Sequence, residues 1–130
     1  MSAFSAEEML AYRLLGEDMT EEQRRRSPRY AFIANAELFE PRTRMRIATR
    51  VSELSITGCY LDMLNPFPVD TIAQVKITQG DMVFQSNSRV VYAHSNLGVG
   101  VIFLDTEPKY LEVLKGWIGE AETDPQRLLG

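Results

Sequence analysis

The chain has 130 residues, 45% of them apolar and 25% charged, and a formal net charge of −4. That is one domain with a modest core, neither a disordered polymer nor a basic nucleic-acid-binding domain. No apolar run approaches the roughly 20 residues of a membrane span, and the acidic opening MSAFSAEEMLAYR lacks the basic start of a secretory signal. The single cysteine, Cys59, excludes an internal disulfide framework, so the expected location is the cytoplasm.

In chain order, the first 23 residues predict a short helical extension. Ser5 with Glu8, and Thr20 with Gln23, have capping-box spacing. Met9, Leu10, Leu14 and Leu15 give the first helix an apolar side, and Gly16 closes it. Charge then reverses. Residues 1–23 carry six acids against Arg13, whereas residues 24–50 carry eight arginines against Glu37 and Glu40. Four of those arginines crowd into QRRRSPRY as Arg24, Arg25, Arg26 and Arg29. Pro28 disfavours helical geometry at Ser27, so the helix should stop there and leave Arg29 at the entrance to the next element.

From Tyr30 onward the chain reads as strands. The runs Tyr30 to Phe39, Met45 to Val51, Cys59 to Met63, Ile72 to Thr78, Met82 to Tyr92 and Leu97 to Leu104 are short and rich in Val, Ile, Phe and Tyr. EPRT, SITG, NPFP, TQGD and HSN supply turn chemistry between them. With no helix intervening, the strands predict an antiparallel barrel or sandwich. Ile47, Val75, Val91 and Val101 are expected to point inward. Arg42, Arg44, Arg46 and Arg50 fit alternate positions on a solvent-facing strand side, opposite Met45, Ile47 and Val51. EPKYLEVLKGWIGEA then reads as an amphipathic helix on the barrel through Leu111, Leu114 and Ile118, with Trp117 beside them. Residues 120–130 read as a flexible tail.

Catalytic chemistry finds little support. His94, the only histidine, falls in a predicted turn with no cysteine or acid cluster at ligand spacing. Cys59 opens an apolar strand without a histidine at pairing distance, which is the pattern of a core filler. There is no P-loop, dinucleotide fingerprint or nucleophile elbow. No catalytic residue, metal or cofactor is therefore expected, and the chain does not read as an enzyme.

Two motifs remain. Arg25 and Arg29 form R-x-x-x-R between helix and strand, and SELSITGCYL contains E-x-S-x-x-G as Glu53, Ser55 and Gly58. Arginines four apart usually cover a helix surface, and Ser/Gly clusters usually make turns. In this order, on this fold, the pair resembles the PilZ domain family, whose members bind bacterial cyclic di-GMP. LGVGVIFLD resembles the family's late G-x-G-V-x-F strand through Gly98, Gly100, Val101 and Phe103. The resemblance spans roughly residues 24–119 and implies a six-stranded antiparallel β-barrel with a C-terminal α-helix.

It also implies a ligand site at Arg25, Arg29, Glu53, Ser55 and Gly58, with Arg24, Arg26 and Arg50 as additional candidates. Guanidinium forks match the O6/N7 edge of guanine and also pair with phosphate. Ser55 would donate to phosphate, Gly58 would permit close backbone approach or a positive φ, and the acid would accept from guanine N1–H and N2–H₂. The family prefers Asp or Asn at that acid; Glu53 displaces the carboxylate by one methylene. The expected function is a cyclic di-GMP receptor that relays its signal to a protein partner, as a monomer or weak dimer without DNA, RNA or a membrane span. The alternative is a ligand-blind adaptor of the same fold, acting only through protein contacts.

Overall fold

Successive side chains of a strand face opposite sides of a sheet, so an alternation such as Phe32, Ala34, Ala36, Leu38 must bury one face. In the computed structural model, which describes residues 28–123, these four residues are buried along strand β1 (Tyr30–Glu40). Five more strands complete the sheet: β2 (Met45–Leu54), β3 (Gly58–Asp62), β4 (Ile72–Gln79), β5 (Met82–His94) and β6 (Gly98–Asp105). All pairings are antiparallel, and the sheet closes as a barrel in the order β1-β2-β3-β6-β5-β4. Closure pairs the backbone groups that an open sheet would leave at its edges.

Local chemistry sets the corners. Gln79 pairs with Met82, leaving Gly80–Asp81 as a two-residue hairpin loop, and Gly80 adopts φ 59°. Tight hairpins need that left-handed geometry, which costs a glycine nothing. At the β1–β2 turn, Glu40 accepts from the Thr43 hydroxyl at 2.6 Å and from the Arg42 and Thr43 amides at 2.8 and 3.1 Å. The Thr43 hydroxyl, above all, holds the Glu40 carboxyl below its usual range, against a smaller opposing effect of burial.

Helix α1 (Pro108–Thr123) begins with a proline, whose missing N–H falls where a helix has no internal acceptor. Leu114, Trp117 and Ala121 are its buried residues, and the Trp117 ring lies 5.1 Å from that of Phe32. Leu111 and Ile118, expected to seal the contact, are only partly buried against it, because the helix rotates its indole toward the barrel. The helix also runs to Thr123, past the expected boundary at 119. Its last turn reaches β1: the Tyr30 hydroxyl donates to Glu122 at 3.2 Å.

Ile47 packs inward against the core as expected, though it is only partly buried. Three further expectations are corrected. Arg42 and Arg44 occupy the β1–β2 turn and not the strand, so only Arg46 and Arg50 share β2's outer side. Val90, not Val91, is the fully buried valine of β5. His94 is the last residue of β5, not part of a turn. The opening helices, Arg24, Arg25 and Arg26, and residues 124–130 lie outside the described residues.

Candidate functional site

Two β-bulges decide what faces outward at one side of the barrel. On β2, Val51 and Glu53 pair with the consecutive residues Leu61 and Tyr60, so Ser52 is an extra residue. On β5, Val90 and Tyr92 pair with Val101 and Gly100, so Val91 is extra. An inserted residue reverses the in/out alternation beyond it. Val51 and Leu54 are therefore both buried while Glu53 turns outward. By the same reversal Val90 faces the core, while Tyr92 and His94 emerge opposite Gly100 and Gly98.

The two motifs meet there. Arg29, just ahead of β1, places Nη1 3.7 Å from Glu53 Oε1 and donates from the same nitrogen to the Tyr92 hydroxyl at 3.2 Å. The Arg29 and Glu53 side chains are 40% and 48% exposed. At that exposure the pair is worth at most about 1 kcal/mol, so a ligand can draw either partner away.

Below them the chain turns through residues 55–57 into β3. The buried Ser55 hydroxyl accepts from the Thr57 and Gly58 amides at 3.2 and 3.1 Å, and its backbone N–H donates to the Gly58 carbonyl at 2.9 Å. The hydroxyl also lies 3.2 Å from that carbonyl and 3.1 Å from the Thr57 hydroxyl. The group expected to reach phosphate is thus engaged within its own loop, where it braces the turn. Gly58 is needed for close approach and not for positive φ, since Gly80 alone among the described glycines has φ in that region. A Cβ on Gly58 would fall on the Val101 carbonyl oxygen of β6, far inside van der Waals distance. Gly58→Ala should therefore destabilise the barrel by about 1–3 kcal/mol, the scale of forced overpacking. Its thermal midpoint should fall by roughly 4–8 °C per kcal/mol; an unchanged midpoint would show that β3 can move off β6.

Arg29, Glu53, the 54–58 loop, Tyr60, Val91, Tyr92 and Gly100 surround a small cavity of about 60 Å³. Arg50 is not among its lining residues; its Nε pairs with Asp62 at 2.9 Å on the outer face. A wider groove near Ile47, Met63, Leu64 and Leu97 encloses about 420 Å³, but Asp62 is the charged side chain on it, so it offers nothing to hold a phosphate. Cys59 is buried beneath the cavity, and burial pushes its thiol far up, away from nucleophilic chemistry.

Aromatic residues that carried no signal in the sequence also reach this face. The rings of Tyr60, Tyr92 and His94 lie mutually 5.3–6.1 Å apart, and the Tyr60 hydroxyl is 3.1 Å from His94 Nδ1. Burial, then the neighbouring Tyr92, Asp62 and Glu53, raises the Tyr60 phenol, which keeps it neutral. Only the Val91 bulge brings Tyr92 and His94 outward, and a bulge leaves no periodic trace in sequence.

A family model for the PilZ domain matches residues 23–120. The chain belongs to the PilZ domain family. Solved PilZ proteins share the barrel: Escherichia coli YcgR in complex with cyclic di-GMP superposes with a TM-score of 0.66 at 18% identity, over 81% of this chain and 49% of that one. This chain thus spans about half of that YcgR. The isolated YcgR PilZ domain with cyclic di-GMP gives 0.62 at 15% identity, over 80% of this chain and 95% of that one. The Bacillus subtilis inhibitor of motility MotI/DgrA gives 0.64 at 11% identity, over 82% and 56%. No curated protein matches in sequence. No helix among the described residues of this PilZ chain is long and apolar enough to cross a membrane.

Proposed function

We propose that this PilZ domain is a cyclic di-GMP receptor that passes the signal through its surface to a protein partner. The observation that carries the reading is the meeting of Arg29 and Glu53 above the braced Ser55–Gly58 loop, on a barrel of this family. A guanidinium and a carboxylate set side by side offer complementary groups to guanine: the fork donates to O6 and N7, and the acid accepts from N1–H and N2–H₂. By sequence, Arg25 stands four residues before Arg29 and would supply a second fork, with Arg24 and Arg26 as its neighbours in the chain. The Ser55 brace and the close contact at Gly58 keep the floor rigid, so little ordering cost falls on binding.

Calorimetric titration with cyclic di-GMP tests this directly. The expected result is saturable binding at tens of micromolar or tighter, near −6 kcal/mol or better. No heat and no saturation in that range would discard the receptor, and the ligand-blind adaptor would take its place.

Glu53 sets the strength of the site. Its long arm reaches Arg29 and competes with the ligand for the guanidinium. Glu53→Asp withdraws the carboxylate by one methylene, frees Arg29 and shortens the acceptor. The same titration should show binding tightened by about 1 kcal/mol, close to fivefold. Equal or weaker affinity would show that glutamate already meets the base in full.

A further inference from the structure

Arg29 and Glu53 stand substantially exposed on the outer face of the sheet, beside the cavity that Tyr60 and Tyr92 also line, so a dinucleotide held by them meets that face. What that face presents is aromatic. At the start of β6 the outward positions are Gly98 and Gly100, which lack side chains, and Tyr60 and Tyr92 flank them from β3 and β5. Both rings use the vacated space. A Cβ on Gly100 would strike the Tyr92 ring, and one on Gly98 would strike the Leu61 carbonyl oxygen of β3 and the Tyr60 ring. The phenols therefore lie over the β6 backbone instead of standing off it. Their centroids are 6.1 Å apart at 34°, and His94 continues the surface at 25° to Tyr60.

From this geometry we infer that Tyr92 and Tyr60, laid down over the glycines of β6, form a stacking platform for one guanine of the ligand, with His94 at its far edge. The inference rests on the cyclic di-GMP reading and adds the face on which the base lies. The two functions divide cleanly. Stacking accepts any base, because every base has a π-face, whereas Arg29 and Glu53 read the guanine edge from the side. Tyr92 serves both, since its hydroxyl also receives a hydrogen bond from Arg29.

The glycine that makes room supplies the test. The three atoms nearest a Cβ on Gly100 all belong to the Tyr92 ring, so that ring is what the side chain of Gly100→Ala meets first. Titrating the full chain with cyclic di-GMP, Tyr92→Ala and Gly100→Ala should each bind at least about fivefold more weakly than wild type. Gly100→Ala should add no further loss in the Tyr92→Ala background, and Tyr92→Phe should recover most of the affinity lost in Tyr92→Ala. The guanine H8 resonance should shift upfield on binding wild type and less on binding Tyr92→Ala. Wild-type affinity in both Tyr92→Ala and Gly100→Ala overturns the platform while leaving the receptor intact. Tyr92→Phe as weak as Tyr92→Ala also overturns it, since the hydroxyl's hold on Arg29 would then carry the effect. A wild-type protein that binds no cyclic di-GMP removes the receptor reading and the platform with it.

Discussion

Trp117→Ala should destabilise the domain more than any change at the ligand face, by about 3–5 kcal/mol. The indole is buried between α1 and the barrel, with the Phe32 ring 5.1 Å away, so its removal strips the contact from both elements and leaves a large cavity. Domains of this size are stable by only about 5–15 kcal/mol, so the variant should approach the edge of folding at growth temperatures. Its midpoint should drop by at least roughly 12 °C. Because Trp117 is the only tryptophan, the comparison is made by circular dichroism or calorimetry. A midpoint within a few degrees of wild type would mean that α1 contributes little to barrel stability and that Leu114 suffices to hold it. Loss of helix signal at a lower temperature than strand signal would instead show α1 detaching as a separate unit.

Arg29→Ala should have the largest effect on binding, a loss of about 2–4 kcal/mol of cyclic di-GMP affinity, or roughly 30- to 900-fold. The guanidinium is the one cation lining the cavity among the described residues. Its removal leaves Glu53 facing an anionic ligand uncompensated, so the variant loses an attraction and retains a repulsion. Thermal stability should change little, because Arg29 is substantially exposed and its ion pair with Glu53 is long. Unaltered affinity at 0.1–0.2 M salt, where exposed long-range attraction is largely screened, would show that Arg29 does not touch the ligand. A loss of binding matched by a loss of stability would assign Arg29 to the fold instead.

The barrel was legible in the sequence because its signals are local. Six apolar alternations, each closed by turn residues such as Gly80–Asp81, and one run with helical spacing, are each readable within about a dozen residues. The motif residues were legible for the same reason, since Arg25 with Arg29, and Glu53 with Ser55 and Gly58, stand at short fixed spacings. Which way side chains point beyond an irregularity was not. Alternation carried past Val90 puts Val91 outside and Tyr92 back inside with Val90; the extra residue at Val91 reverses that order and brings Tyr92 and His94 to the surface. The role of Ser55 was likewise hidden, because only the folded turn shows its hydroxyl engaged by the Thr57 and Gly58 amides. Short-range pattern thus determined the elements, the barrel class and the motif residues. Tertiary structure alone decided that Arg29 would meet Glu53, and that two tyrosines would lie over the glycines of β6. Those meetings depend on the pairing of β1 with β2, which sets Tyr30 opposite Leu54, and on the pairings of β2 with β3 and of β5 with β6, where one extra residue exchanges core for surface.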